Sequence, residues 1–320
     1  MPVSYENVRV STYSDVIWRA QVWVRSFRLK FLPQGVLPIV LGSIVAWTEF
    51  GVFNPWVFAL AFLGAAFIQI GLTMLNDTLD YVYGTDSLTS VEKNPFSGGS
   101  GVLADRQLQP KDLLFVVALF YLFAAVIGLF LTWRIGIGVF WIALLGLFLS
   151  VFYSLKPLRL AFRGAGELAM MIGYGPTLTL GAYYVQTKTF SLEALLASLV
   201  PGLLMWSMIL VNEIPDYKDD LRVNKMNLTV RFGPARTRWF FIVSLSGVYL
   251  FISAGVALGV FPVSALLGLT SLPLAISSFG IVYHCYDDQL AMIPANRAMV
   301  VIYSMTMLLF CIGFLIGDLL

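Results

Sequence analysis

Two short stretches of this 320-residue chain gather acids in a sequence that otherwise avoids them. The first, NDTLDYVYGTD, carries Asn76, Asp77, Asp80 and Asp86; the second, NEIPDYKDD, carries Asn212, Glu213, Asp216, Asp219 and Asp220. Continued as helix, Asn76 and Asp80 share a face at i,i+4 with Asp77 beside them, and Asn212, Asp216 and Asp220 form one i,i+4,i+8 line. Carboxylates this close repel, so a cation should occupy the gap. Magnesium suits the donor set, because it is hard, octahedral and commonly held by one or two carboxylates plus substrate phosphate oxygens. One cluster alone fits a calcium site or a solvated patch as well. Two with matching Asn and Asp spacing point to a bridge of metal, diphosphate and metal.

Basic residues accompany the acids. Lys225 and Arg222 follow the second cluster and Arg28 precedes the first apolar block; such cations can hold a leaving diphosphate or pair with anionic lipid. Arg231, Arg236 and Arg238 read as lipid or orientation residues. Tyr153 closes another apolar block and reads as interfacial belt. Glu167 opens the next block, where an acid must reach the surface, a buried partner or a substrate. Asp105, Asp112 and Glu193 read as loop acids, with Ser191 and Asp112 suited to capping helices. His284, Asp287 and Asp288 read as headgroup or helix-end residues, and Cys311 as a small hydrophobe within the last block.

The elements that must position these groups are membrane helices. Apolar residues make up 59% of the chain and charged residues 12%, against about 45–50% and about 25% in soluble domains. The apolar blocks approach the ~20 residues that cross ~30 Å of hydrocarbon. They predict an all-α integral membrane protein with nine transmembrane helices near 31–48, 55–75, 113–132, 136–154, 166–185, 194–211, 239–260, 264–283 and 299–317. Residues 1–30, with Arg9, Arg19, Arg25, Arg28 and Lys30, form an interfacial segment rather than a signal peptide; residues 31–320 form a single domain. Of the twenty Lys and Arg, all but Arg134 and Lys188 fall on one face. The positive-inside rule therefore places the N-terminus and both acid-rich loops in the cytoplasm and the C-terminus opposite, in a multi-pass cell-membrane protein. The matching clusters suggest duplicated halves, about 31–154 and 166–283, followed by a last helix, 299–317. Basic residues scattered among acids at a membrane surface argue against nucleic-acid binding. A secondary transporter has comparable spans and repeats, but such carriers often place acids at mid-span rather than at helix ends.

These loops resemble the UbiA superfamily of intramembrane aromatic prenyltransferases. Asn76, Asp77, Asp80 and Asp86 resemble its first motif in the form NDxxDxxxGxD, with Gly84 where another acid often stands. Asp216 and Asp220 resemble its DxxxD motif, and VNKMNLTVRFG resembles GKRTLAVRLG, with Lys225 on the lysine and Asn224 on the glycine; Asn227 also departs. FRLKFLPQGVLPIVLG, with Arg28, and RGAGELAMMIGYGPTLTLGAYYVQ, with Glu167, resemble segments of the 1,4-dihydroxy-2-naphthoate prenyltransferase branch, whereas NPFSGGSGVLADRQL differs from it. The likeness runs from about residue 20 to 240. It implies a bundle around a central cavity with a cytoplasmic cap, Mg2+ as cofactor, and prenyl diphosphate and an aromatic acceptor as substrates. The activity implied is prenyl transfer to 1,4-dihydroxy-2-naphthoate with decarboxylation, in menaquinone biosynthesis. Runner-up acceptors are 4-hydroxybenzoate, homogentisate, a porphyrin-like ring or an ether-lipid precursor. By the same likeness Asp77, Asp80, Asp86, Asp216 and Asp220 hold metal, Asn76 and Asn212 orient ligands and phosphate, Arg28, Lys225 and Arg222 hold diphosphate, and Tyr153, Glu167 or released diphosphate takes the final proton.

Overall fold

The computed structural model describes residues 5–85 and 94–319. Its helices are α1 (Tyr5–Ser26), α2 (Leu32–Phe50), α3 (Pro55–Val82), α4 (Pro110–Ile135), α5 (Ile137–Ser154), α6 (Gly166–Ile172), α7 (Leu178–Thr187), α8 (Leu192–Arg222), α9 (Leu228–Phe232), α10 (Pro234–Ala257), α11 (Leu272–Cys285) and α12 (Ile293–Leu319). Several begin as sequence chemistry dictates. Asn54 caps α3 by accepting from the Trp56 and Val57 amides, Ser191 caps α8 by accepting from Ala194, and proline leads α3, α4 and α10.

Among the described residues, eight helical stretches are long and apolar enough to cross a membrane. The block expected to span 166–185 differs. It is helical but interrupted, running as α6, a π-turn over Gly173–Thr177, and α7. Pro176 has no N–H to return to the carbonyl four residues back, so the ladder loosens into a bulge there. Gly175 within it lets α8 approach: a methyl at that position would lie 2.6 Å from the Ser198 carbonyl oxygen.

The lipid-facing side is apolar, as α4 illustrates by exposing Leu122, Phe123, Val126, Leu129 and Phe130. Inside, α2 packs against α3, α7, α8 and α12, and one continuous core extends from Leu41 on α2 through Leu204 on α8 to Phe310 on α12. Gly42 permits the α2–α7 contact, because a Cβ there would sit 2.1 Å from the Thr179 carbonyl oxygen.

Prolines within two spans free carbonyls that α12 then satisfies. Pro38 releases the Gln34 carbonyl, which accepts from the Tyr303 hydroxyl at 3.2 Å; Pro215 releases the Val211 carbonyl, which accepts from Asn296 Nδ2 at 2.8 Å. Both bonds fix the helix ends nearest the acid clusters.

Candidate active site

Helices α3 and α8, of 28 and 31 residues, extend for about 42 and 46 Å at 1.5 Å per residue, well beyond ~30 Å of hydrocarbon. Asn76, Asp77 and Asp80 occupy the C-terminal turns of α3, and the second cluster those of α8. That is the negative end of the helix dipole, where carboxylates are disfavoured and cations favoured. The clusters therefore act against the stability of the helices that carry them.

Lys225 joins the two. Its Nζ lies 3.3 Å from Asp80 Oδ2 and 3.4 Å from Asp220 Oδ1. Burial alone would pull the lysine pKa down, but the carboxylates of Asp220 and Asp80 outweigh that and hold it well above the usual range, so the ammonium stays charged at neutral pH. The reach depends on the turn after α8, where Asn224 adopts φ +58° and the Lys225 amide donates to the Asp220 carbonyl. Only glycine and, with less ease, asparagine enter this left-handed region readily, which accounts physically for Asn224 standing at the glycine position.

Further polar groups fix each carboxylate. Asn76 Nδ2 donates to Asp80 Oδ2 and to Ser154 Oγ, both at 3.0 Å. Asp77 accepts from the Ser100 amide and hydroxyl, while Ser97 Oγ donates to Asp216 Oδ1 at 2.7 Å. The NPFSGGSG stretch thus crosses the acid-bearing end and touches both clusters. Asn227 Nδ2 donates to Asp220 Oδ2 at 2.7 Å while its Oδ1 caps α9, and Asn296 Nδ2 donates to Asn212 Oδ1 at 2.9 Å.

Asn76, Asp80, Tyr153, Asn212, Asp216 and Lys225 line one cavity of about 130 Å³, and Arg28 lines both it and a neighbouring one that Asp77 and the Gly98–Gly101 turn also border. Arg28 holds φ +49°, a conformation that costs a non-glycine residue on the order of 1 kcal/mol and turns the chain between α1 and α2. Two expected site residues stand apart. Arg222 is exposed and pairs with Asp219 at 3.1 Å. Glu167 lies outside the cavity lining, and its Oε1 accepts from the Leu228 amide at 2.6 Å, so it braces the segment that carries Lys225. Asp86 lies outside the described residues. Asp288 accepts from the Leu290 and Ala291 amides and so closes a turn.

Among the described residues, no three His, Cys, Asp or Glu side chains close on one point to cage an ion alone. Paired oxygen donors, already drawn to a cation in Lys225, fit instead an ion that takes one or two carboxylates and completes its shell from phosphate and water. Sequence reasoning missed Ser97, Ser100, Asn296 and the bracing by Asn227; only the serine and glycine density of NPFSGGSG hinted at the loop.

The match to known proteins decides what this geometry belongs to. The model of the UbiA prenyltransferase family matches residues 35–300. The chain is a member of that family. It is accordingly a prenyltransferase, held in an all-α multi-pass membrane fold. A Mycobacterium tuberculosis 1,4-dihydroxy-2-naphthoate octaprenyltransferase is 30% identical over 81% of this chain and 85% of its own length. A Synechocystis 2-carboxy-1,4-naphthoquinone phytyltransferase is 28% identical over 85% of this chain and 86% of its own. The fold is shared with a UbiA homolog from Archaeoglobus fulgidus solved with GPP and Mg2+, with a TM-score of 0.58 at 13% identity, covering 90% of this chain and 99% of that one.

Proposed function

We propose that this UbiA-family member transfers a polyprenyl group from its diphosphate to 1,4-dihydroxy-2-naphthoate with loss of the ring carboxyl, a step of menaquinone biosynthesis, and that Mg2+ is required. The observation that carries the reading is the meeting of both clusters across Lys225. The names of the Mycobacterium and Synechocystis relatives support a naphthalene-type acceptor.

Asp77, Asp80, Asp216 and Asp220 would hold Mg2+, with Asp86 as a further candidate. Held there, Mg2+ would supply positive charge to offset that developing on a departing diphosphate. Lys225 and Arg28 bind phosphate oxygens and offset the same charge, while Asn76 and Asn212 keep Asp80 and the neighbouring groups in register. Ser97 and Ser100 orient Asp216 and Asp77. Packed spans keep water from the allylic carbon once its bond to oxygen lengthens, because water would yield the prenyl alcohol.

The acceptor carbon that bears the carboxylate then forms the new bond to the prenyl carbon. Carbon dioxide departs and leaves its bonding electron pair to the ring, so no ring proton needs a base at that carbon. Tyr153, which lines the cavity, then positions the ring. An acceptor with a free ring carbon would instead need a proton acceptor, for which Tyr153 and released diphosphate remain the candidates.

A third, apolar cavity of about 280 Å³ lies among α3, α4, α5 and α7. α3 lends Ile68 to it and Gln69 to the site, and the α6–α7 run lends Thr177 and Tyr174 respectively. This space suits the prenyl tail, whose methylenes each favour an apolar phase by ~0.8 kcal/mol. The basic, acid-bearing end would face the cytoplasm. A matrix of prenyl diphosphates against hydroxylated aromatic acids, read by product mass with and without Mg2+, tests the proposal. The expected product has lost the carboxyl mass; absence of turnover across the matrix defeats it.

A further inference from the structure

Gln34 lies in the first turn of α2, is 1% exposed, and lines the same cavity as Asp216 and Lys225. Among the described residues, neither its Oε1 nor its Nε2 has a hydrogen-bond partner. A buried carboxamide left unpaired on both atoms is costly, and native interiors rarely keep one without a role.

Its neighbours do not supply the missing bonds because they are engaged elsewhere. The Gln34 carbonyl already accepts from Tyr303. Gln69, across from Gly35, donates to the Phe31 carbonyl at 2.9 Å and accepts from the Tyr174 hydroxyl at 2.5 Å. The same lining includes Met170, Met205 and Met208, which present thioethers and methylenes and offer at most weak acceptors. The lining thus mixes the acids and Lys225 with apolar and thioether side chains, and the Gln34 carboxamide joins it with both polar atoms unpaired among the described residues, as is Arg28 Nε.

We infer that the Gln34 carboxamide binds the aromatic acceptor through a ring hydroxyl and an adjacent oxygen, so that the site selects an ortho-hydroxy aromatic acid. This rests on the prenyltransferase reading above and specifies its acceptor. A carboxamide presents one acceptor and one donor side by side. Its complement presents one donor beside one acceptor, which a phenolic hydroxyl next to a carboxylate does: Oε1 accepts from the hydroxyl and Nε2 donates to the carboxylate. A ring with hydroxyl and carboxylate para to each other cannot engage both atoms at once. Drawing the hydroxyl proton toward Oε1 also raises electron density on the ortho carbon, which is the carbon that takes the prenyl group and releases carbon dioxide.

The test uses full-length enzyme in lipid nanodiscs, with acceptor and prenyl-diphosphate KM measured separately for wild type, Gln34→Leu and Gln34→Glu. Three acceptors are compared: 1,4-dihydroxy-2-naphthoate, 1,4-dihydroxynaphthalene without the carboxyl, and 4-hydroxybenzoate. Gln34→Leu should raise the KM for the ortho-hydroxy acid about tenfold, equivalent to ~1.4 kcal/mol, and leave the prenyl-diphosphate KM within about twofold. Gln34→Glu keeps an acceptor for the hydroxyl but repels the carboxylate, so it should penalise the acid far more than the diol. Should Gln34→Leu fail to fold, that acid-against-diol contrast decides the matter alone. Equal changes in both substrates' KM, or none in either, overturn the inference and leave the prenyltransferase reading intact. Wild-type enzyme that prenylates no aromatic acceptor overturns the reading and the inference together.

Discussion

Replacing Lys225 with methionine removes the cation held between Asp80 and Asp220 while keeping most of the side chain's bulk. Breaking a buried ion pair from one side costs ~3–5 kcal/mol, because the remaining charge stays desolvated. Lys225 retains 13% side-chain exposure and Asp220 keeps its bond from Asn227, so the lower end, about 3 kcal/mol, is expected. The loss should depend on metal. Without Mg2+ the two carboxylates face each other unscreened, whereas a bound divalent ion supplies the missing charge. Chemical unfolding of wild type and K225M in nanodiscs, with chelator and then with Mg2+, measures this directly. K225M should be markedly less stable in chelator and should gain more from Mg2+ than wild type does. A variant as stable as wild type in chelator, or one whose gain from Mg2+ is no larger, would refute the view that Lys225 balances both clusters.

Three further outcomes follow from single contacts. Ser97→Ala removes the hydroxyl that donates to Asp216, and a hydrogen bond to a charged group contributes ~1.5–3 kcal/mol; the prenyl-diphosphate KM should rise at least about tenfold, with the acceptor KM little changed in the same kinetic series. Gly42→Ala places a methyl against the Thr179 carbonyl oxygen, so overpacking should destabilise the α2–α7 contact by ~1–3 kcal/mol, visible as an earlier unfolding midpoint. Ala143→Phe projects a ring into the 280 Å³ apolar cavity and should shift donor preference toward shorter prenyl chains, read from the ratio of kcat/KM values.

The membrane character and the two acid clusters were legible in the sequence, because a hydropathy block and an i,i+4 spacing are local properties. The interruption at 173–177 was less so: the apolar count of 166–185 is that of a span, and only Pro176 between closely spaced glycines signals that the hydrogen-bond ladder breaks. Long-range partners were out of reach. Asn296 reads as an ordinary helix residue until Pro215, 81 positions earlier, is seen to leave a carbonyl for it. Glu167 drew attention as an acid beside a span, yet its bond to the Leu228 amide makes it a brace for the lysine turn, a role set by tertiary contact alone. Gln34 passed unnoticed because nothing in its neighbourhood marks it; its lack of partners exists only once the helices have assembled.

The central claim is that the carboxylates of α3 and α8 act as one unit on one diphosphate. Turnover of Asp80→Asn, Asp216→Asn and the double variant, measured across an Mg2+ titration, tests it most directly. Groups that act together are strongly non-additive, so each single variant should lose nearly as much activity as the double, on the order of 100-fold or more. Losses that simply multiply, or a double variant that keeps Mg2+-dependent turnover, would contradict the account.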